Sequence, residues 1–168
     1  MNKRGIQINR APVLTLWAAT VAERLGFDRG EALSLGKAVA GLTAQSKGRR
    51  LGIYKPVPEE IRKAREKERG EEFSIELCGR AIPAINTEDG VRAVTKGRAV
   101  ERYLESKFGD SLEAARAAMR DVTKAIRPDE LREHAFKFYE QFRPAIPEGA
   151  RGWGAKGKLD LDLIRSLA

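Results

Sequence analysis

Two runs of apolar residues at helical spacing, separated only by Leu25-Gly26-Phe27-Asp28, constrain this chain more than any other feature. In the first run Val13, Leu14, Trp17, Val21 and Leu25 fall three and four residues apart, which gives a helix a wide apolar stripe. Pro12 suits the first turn, where a missing backbone N–H costs nothing. Gly26 can take the positive φ that ends a helix. Asp28 is placed to cap the second helix, with Glu31 in the capping-box position. That helix is predicted to run through Leu35, Val39 and Leu42 to about Ser46. Gly36, Ala38, Ala40 and Gly41 give it a thin flank that another helix can approach closely. Lys47-Gly48-Arg49-Arg50 follows at once, so an apolar pattern and a basic pattern meet in one segment.

Downstream, Gly52, Pro56 and Pro58 predict a loop from Gly48 to Pro58, and Pro58 opens a charged helix from Glu59 to Arg69. Phe73, Ile75 and Leu77 alternate with Ser74, Glu76 and Cys78, the period of a half-buried strand. Ala81 to Ile85 is a second extended piece, which Pro83 should confine to an edge. Asn86 to Gly90 reads as a turn, and Val91 to Val94 as the returning strand. This hairpin either acts as a wing on a DNA backbone or covers one side of a helical core.

Three amphipathic helices are predicted next. Val100, Tyr103, Leu104 and Phe108 stripe the first, and Gly109-Asp110 serves as stop and next cap. Leu112, Ala115, Met119, Val122 and Ile126 stripe the second. After Pro128 and Asp129, Leu131, Ala135, Phe138 and Phe142 stripe the third, widened by Phe136 and Tyr139. Short links between such helices favour antiparallel neighbours. Beyond Pro147 the chain is Gly-rich and basic, with Arg151, Lys156 and Lys158 around Trp153. That stretch either contacts a nucleic acid or tethers Leu159, Leu161, Leu163 and Ile164 as a short terminal element.

The expected fold is therefore mainly α (α+β), a bundle-like helical domain with one small β-hairpin. A single domain over 1–168 suits the length. Its parts are 1–58 (basic hairpin and loop), 59–95 (charged helix and β-hairpin), 96–142 (helical group) and 143–168 (basic tail and terminal element). No run approaches the roughly twenty apolar residues that cross a bilayer, so no membrane partner is expected. The basic N-terminus lacks the apolar core of a signal peptide. A single cysteine, Cys78, allows no intrachain disulfide and fits a cytoplasmic location.

Net charge is +8, but it is unevenly spread: residues 1–58 hold ten Lys or Arg against three acids, and residues 59–168 hold twenty-two against twenty-one. A basic region concentrated in this way is the footprint of a protein that meets a polyanion.

Val21-Ala22-x-x-Leu25-Gly26-Phe27, with Ala32 and Leu35 beyond it, resembles the helix-turn-helix unit of DNA-binding proteins over about twenty residues, Ala18 to Lys37. That unit has a small residue in its first helix, a turn glycine four residues later and apolar residues on either side of the glycine. The resemblance implies that the second helix meets the major groove. It departs from the pattern in offering Asp28, Arg29, Gly30, Leu33 and Ser34 there, with Arg29 and Ser34 alone suited to base edges.

Catalytic machinery is not legible. His134 and Cys78 are each the only residue of their type, too few for a typical zinc site and outside any nucleophile motif. The tail glycines neither follow a strand nor precede Lys-Ser or Lys-Thr, so they do not form a nucleotide phosphate loop. No enzyme activity, metal or cofactor is expected. The expected function is nucleic-acid binding, to double-stranded DNA, with Lys3, Arg4, Arg10, Lys47, Arg49 and Arg50 on the backbone and Arg29 and Ser34 at base edges. Arg151, Trp153, Lys156 and Lys158 are secondary contacts. The alternative is a protein-interaction or scaffolding module, in which the thin flank of the second helix packs on a partner or on a second copy as a homodimer.

Overall fold

A computed structural model describes residues 5–50, 73–78, 80–87, 90–93, 100–144 and 156–168. Strand β1 (Gly5–Asn9) leads directly into helix α1 (Arg10–Arg24), and α2 (Arg29–Arg50) follows after a short turn. Then come β2 (Phe73–Leu77), β3 (Arg80–Thr87) and β4 (Gly90–Ala93), α3 (Val100–Phe108), a 3-10 turn at Gly109–Ser111, α4 (Leu112–Ala125) and α5 (Pro128–Phe142). Strand β5 (Lys156–Asp160) and helix α6 (Leu161–Ser166) complete the order. The protein is mainly α with small antiparallel β elements.

Helix α1 is the centre of the core. Every residue from Pro12 to Ala22 is buried, so the helix is enclosed on all sides rather than along the one stripe its periodicity marks. Trp17 is fully enclosed, its indole N–H donating to the Ala135 carbonyl at 2.8 Å and its ring meeting Phe142 edge-on at 5.2 Å. The two buried threonines of α1 are satisfied within the helix, Thr15 donating to the Ala11 carbonyl and Thr20 to that of Leu16.

The α1–α2 turn forms as its residues predict. Gly26 takes φ +112°, a region that L side chains rarely adopt. The Asp28 N–H donates to Glu31 Oε1 at 3.0 Å, and the Glu31 N–H donates to Asp28 Oδ1 at 2.8 Å, a reciprocal capping box. Farther on, the two helices touch at Gly36, where an added Cβ would lie 2.5 Å from the Thr15 carbonyl oxygen and 2.8 Å from the Ala19 nitrogen. The helix that approaches the thin flank is thus α1 of the same chain. Ala38 and Ala40 are buried as well, and Gly41 alone of the four is exposed.

Helix α2 does not stop near Ser46 but continues through Gly48 to Arg50. Gln45, Lys47, Arg49 and Arg50 are good helix formers, and one interior glycine costs only about 1 kcal/mol. Extending an existing helix needs no new nucleus, so Gly48 is no breaker here.

The predicted hairpin is part of a three-stranded sheet ordered β2-β3-β4. Strand β3 is therefore central, against the expectation that Pro83 marks an edge. Pro83 pairs with Ser74 on the β2 side, while the described pairing with β4 begins one residue later at Ala84. Among the described residues the proline thus sits beside, and not within, the doubly paired stretch, which is where a missing donor is tolerated. The turn is also shorter than predicted, since pairing runs on to Thr87 and Gly90. Cys78 does not alternate out of the apolar face: it lies just past β2, buried, with φ 50°. Burial pushes its thiol up to about 12, which makes it a poor nucleophile.

The three C-terminal helices fall where their stripes put them. Val100, Leu104 and Phe108 are buried in α3, and Leu112, Ala115, Met119 and Val122 in α4. Leu131, Ala135 and Phe142 are buried in α5 together with Tyr139, while Phe138 is only half-buried. The N-cap position of α4 is held by Ser111 rather than Asp110, because Gly109, at φ +57°, opens a 3-10 turn that absorbs the intervening residues. The terminal element docks through Leu159, Leu161 and Ile164, whereas Leu163 is 42 % exposed.

A second, two-stranded sheet pairs β1 with β5, so that Ile8 faces Gly157 and Ile6 faces Leu159. No hairpin signal marks it, because its strands lie at opposite ends of the chain. The charged helix predicted at 59–69 and the Gly-rich stretch 149–155 lie outside the described residues.

One ion-pair network ties α2, α3 and α4 together. The buried Arg116 guanidinium donates to both oxygens of Glu101 at 2.9 and 3.0 Å and to Glu113 at 2.9 Å, while Arg29 reaches Glu101 at 2.9 Å. Burial raises the Glu101 pKa, but the hydrogen bonds and charges of Arg116 and Arg29 together outweigh it and hold the carboxyl below its ordinary value. A depressed folded-state pKa gives stability that is present above the unfolded value, about 4.3, and is lost as pH falls through the folded one. Glu101→Gln should therefore be less stable than wild type at pH 7. In urea titrations at pH 7, 5 and 3, the gap between the two midpoints should shrink as the pH falls. A gap that does not change with pH would remove the network from the stability of the fold.

Candidate nucleic-acid interface

The α1–α2 pair fixes where the basic residues stand. Gly36 packs on Thr15 and Ala19, so the helices run antiparallel from their short turn. Helix α1 has 15 residues and α2 has 22, and at 1.5 Å per residue α2 passes the start of α1 by about 10 Å. Lys47, Arg49 and Arg50 occupy that overhanging last turn as helix rather than loop.

At the start of α1, Arg10 is partly buried, its Nε donating to the Pro144 carbonyl at 2.8 Å. The Tyr139 hydroxyl lies 3.5 Å from the Arg10 carbonyl, and the Arg143 guanidinium lies 6.0 Å from the Tyr139 ring centre. Burial, and then the charge of Arg143, lower the Arg10 pKa, partly offset by Tyr139. Two cations are thus held near each other, Arg10 at the positive end of α1, whose first turn has no acid, and Arg143 as the C-cap of α5. The nearest described counter-charge to Arg143 is Glu140, at 3.9 Å.

Asn9, the residue before α1, pairs with Lys156, and Gln7 pairs with Lys158. Strand side chains alternate between faces and directly opposed residues share one. Ile6, Ile8, Gly157 and Leu159 therefore face the core. Gln7, Asn9, Lys156 and Lys158 share the outer face, where Gln7 and both lysines are exposed. The tail lysines, which sequence spacing assigns to a loop, are strand residues beside the start of α1.

Not every predicted residue joins this end. Arg29 begins α2, about 30 Å along the helix axis from Arg50, and is bound to Glu101. Ser34 is only 7 % exposed, so its hydroxyl cannot reach a base edge. From Ala32 to Ala40 most of α2 is buried, because a helix packed along α1 has little face left for a groove. The predicted base readers and backbone contacts thus lie at opposite ends of α2. Lys3, Arg4, Arg151 and Trp153 lie outside the described residues. Sequence reasoning missed Gln7 and Asn9, although the alternation Ile6-Gln7-Ile8-Asn9 carries the period of a strand.

Other chemistry finds little support in the described residues. A cleft of about 10 Å³ between α1, α2 and α4, lined by Glu23, Arg29 and Arg116 among others, has room for one water and no substrate. Among the described residues no group of three or more His, Cys, Asp or Glu is arranged to hold a metal ion, and no helix is long and apolar enough to cross a membrane. Compared with models of protein families, with characterised proteins and with solved structures, the chain matches none.

Proposed function

We propose that this protein binds nucleic acid, double-stranded DNA, through the basic end formed by the start of α1, the last turn of α2 and the β1–β5 ribbon. The observation that carries the reading is the gathering of Arg10, Arg143, Lys156 and Lys158 from distant parts of the sequence around the start of α1. Like charges brought together there raise the energy of the folded chain, and a row of phosphates would lower it. The last turn of α2 adds Lys47, Arg49 and Arg50. A cytoplasmic location goes with this reading, since the only cysteine is a free thiol.

The scaffolding alternative rested on the thin flank of α2, which α1 already covers at Gly36. Gly41, at the far end of that flank, stays exposed.

The reading is tested by fluorescence anisotropy with labelled duplexes over a salt series. Each phosphate neutralised on a duplex adds about 0.9 to the slope of log affinity against log salt. Replacing Lys47, Arg49 and Arg50 together by Ala should flatten that slope by up to about 2.7. Binding to unrelated duplexes should weaken about equally, because phosphate contacts carry no sequence information. Absence of wild-type binding at low salt would end the assignment, and an unchanged slope in the triple variant would remove α2 from it.

A further inference from the structure

We infer that the outer face of the β1–β5 ribbon, rather than helix α2, is the surface that reads base edges in the DNA major groove; this rests on the nucleic-acid reading above. Three observations support it. The ribbon is two antiparallel strands with one face sealed against the core by Ile8, Gly157 and Leu159, and the other open. The open face carries Gln7 opposite Lys158 and Asn9 opposite Lys156. Asp160 shares that face at the far end, but its carboxylate accepts from the Asp162 and Leu163 amides at the start of α6, which draws it towards the helix.

The dimensions agree with the role. A B-form major groove, about 12 Å wide, admits a two-stranded ribbon. Same-face residues on a strand recur every two residues, about 6.7 Å, close to twice the 3.4 Å rise of a base pair. The two cross-strand pairs would therefore meet the groove about two base pairs apart. Glutamine, here the exposed Gln7, suits the N6 and N7 edge of adenine, and lysine, here the exposed Lys156 and Lys158, suits O6 and N7 of guanine. The ribbon face thus carries groups for adenine beside guanine, while Arg10 and the end of α2 flank it for the phosphates. An RNA duplex has a deep, narrow major groove that such a ribbon cannot enter.

The test uses the full chain and a pool of random duplexes, from which wild type selects a preferred sequence. Gln7→Ala should weaken binding to that duplex about five- to hundredfold, leave unrelated duplexes almost unaffected and keep the salt slope. The double variant Lys156→Ala with Lys158→Ala should lose selectivity at the guanine positions. All three side chains are exposed, so thermal melting should match wild type, and circular dichroism checks it. If wild type binds duplex DNA but these variants keep both affinity and preference, the ribbon inference is overturned and the nucleic-acid reading stands. Selection of RNA or single strands over duplex DNA would also overturn it. If wild type binds no nucleic acid at low salt, both fail together.

Discussion

Trp17→Ala should destabilise the protein by about 3 to 5 kcal/mol, the range for removing a large enclosed aromatic side chain. Trp17 has no exposed surface, it packs edge-on against Phe142, and its N–H satisfies the Ala135 carbonyl on α5. Removing it opens a cavity where α1 meets α5 and unties the cross-link between them. For a chain of this size each kcal/mol moves the melting temperature by about 2 to 4 °C, so a drop of roughly 6 to 20 °C is expected. Trp17→Phe should fall between the two, since it keeps much of the apolar volume and loses the hydrogen bond, a loss of about 1 kcal/mol. Thermal melting followed by circular dichroism measures both. A Trp17→Ala variant that melts with wild type would mean that α1 is not the enclosed helix described above.

Gly36→Ala should be the most costly single-methyl change in the hairpin. The new Cβ would fall 2.5 Å from a backbone oxygen and 2.8 Å from a backbone nitrogen of α1, and neither atom can be turned aside as a flexible side chain can. The helices must separate, which loosens contacts along both. Overpacking of this kind costs about 1 to 3 kcal/mol, against the gain of up to about 1 kcal/mol that Gly→Ala brings in an unstrained helix. Gly41→Ala is the control, since nothing lies within 4 Å of its added Cβ, and it should be neutral or slightly stabilising. Urea titration of the two variants beside wild type separates these outcomes. Equal midpoints for both would mean that the close contact at Gly36 does not exist in solution.

Both substitutions bear on the proposed interface as well as on stability. Arg10 and the β1–β5 ribbon are attached to the start of α1, and the last turn of α2 lies towards the same end because the two helices run antiparallel in close contact. A Gly36→Ala protein that still folds should bind DNA with a weaker salt dependence, because Arg10 at the start of α1 and the basic last turn of α2 would no longer be held in register.

What the sequence determined by itself is the set of features that depend on residues near one another in the chain. The capping box of Asp28 and Glu31 and the positive φ at Gly26 involve neighbours within one turn. The stripes of α3, α4 and α5 and the alternation of β2 involve the 3.6- and 2-residue periods of a single element. Tertiary structure decided whatever depended on what packs against an element. Ser34 and Cys78 carry no local sign of burial, yet both are enclosed. Arg29 has the sequence context of a free helix-start cation and is instead committed to Glu101 and so to Arg116, far along the chain. The pairing of Gly5 to Asn9 with Lys156 to Asp160 joins the two ends of the molecule. Periodicity marks a strand but not its partner, and β5 has only Leu159 to show for a buried face. Sequence therefore determined that the basic residues are concentrated. Which of them share a surface was decided by the long-range pairing and by the close antiparallel contact at Gly36, because helix and strand geometry carry side chains tens of ångströms from their sequence neighbours.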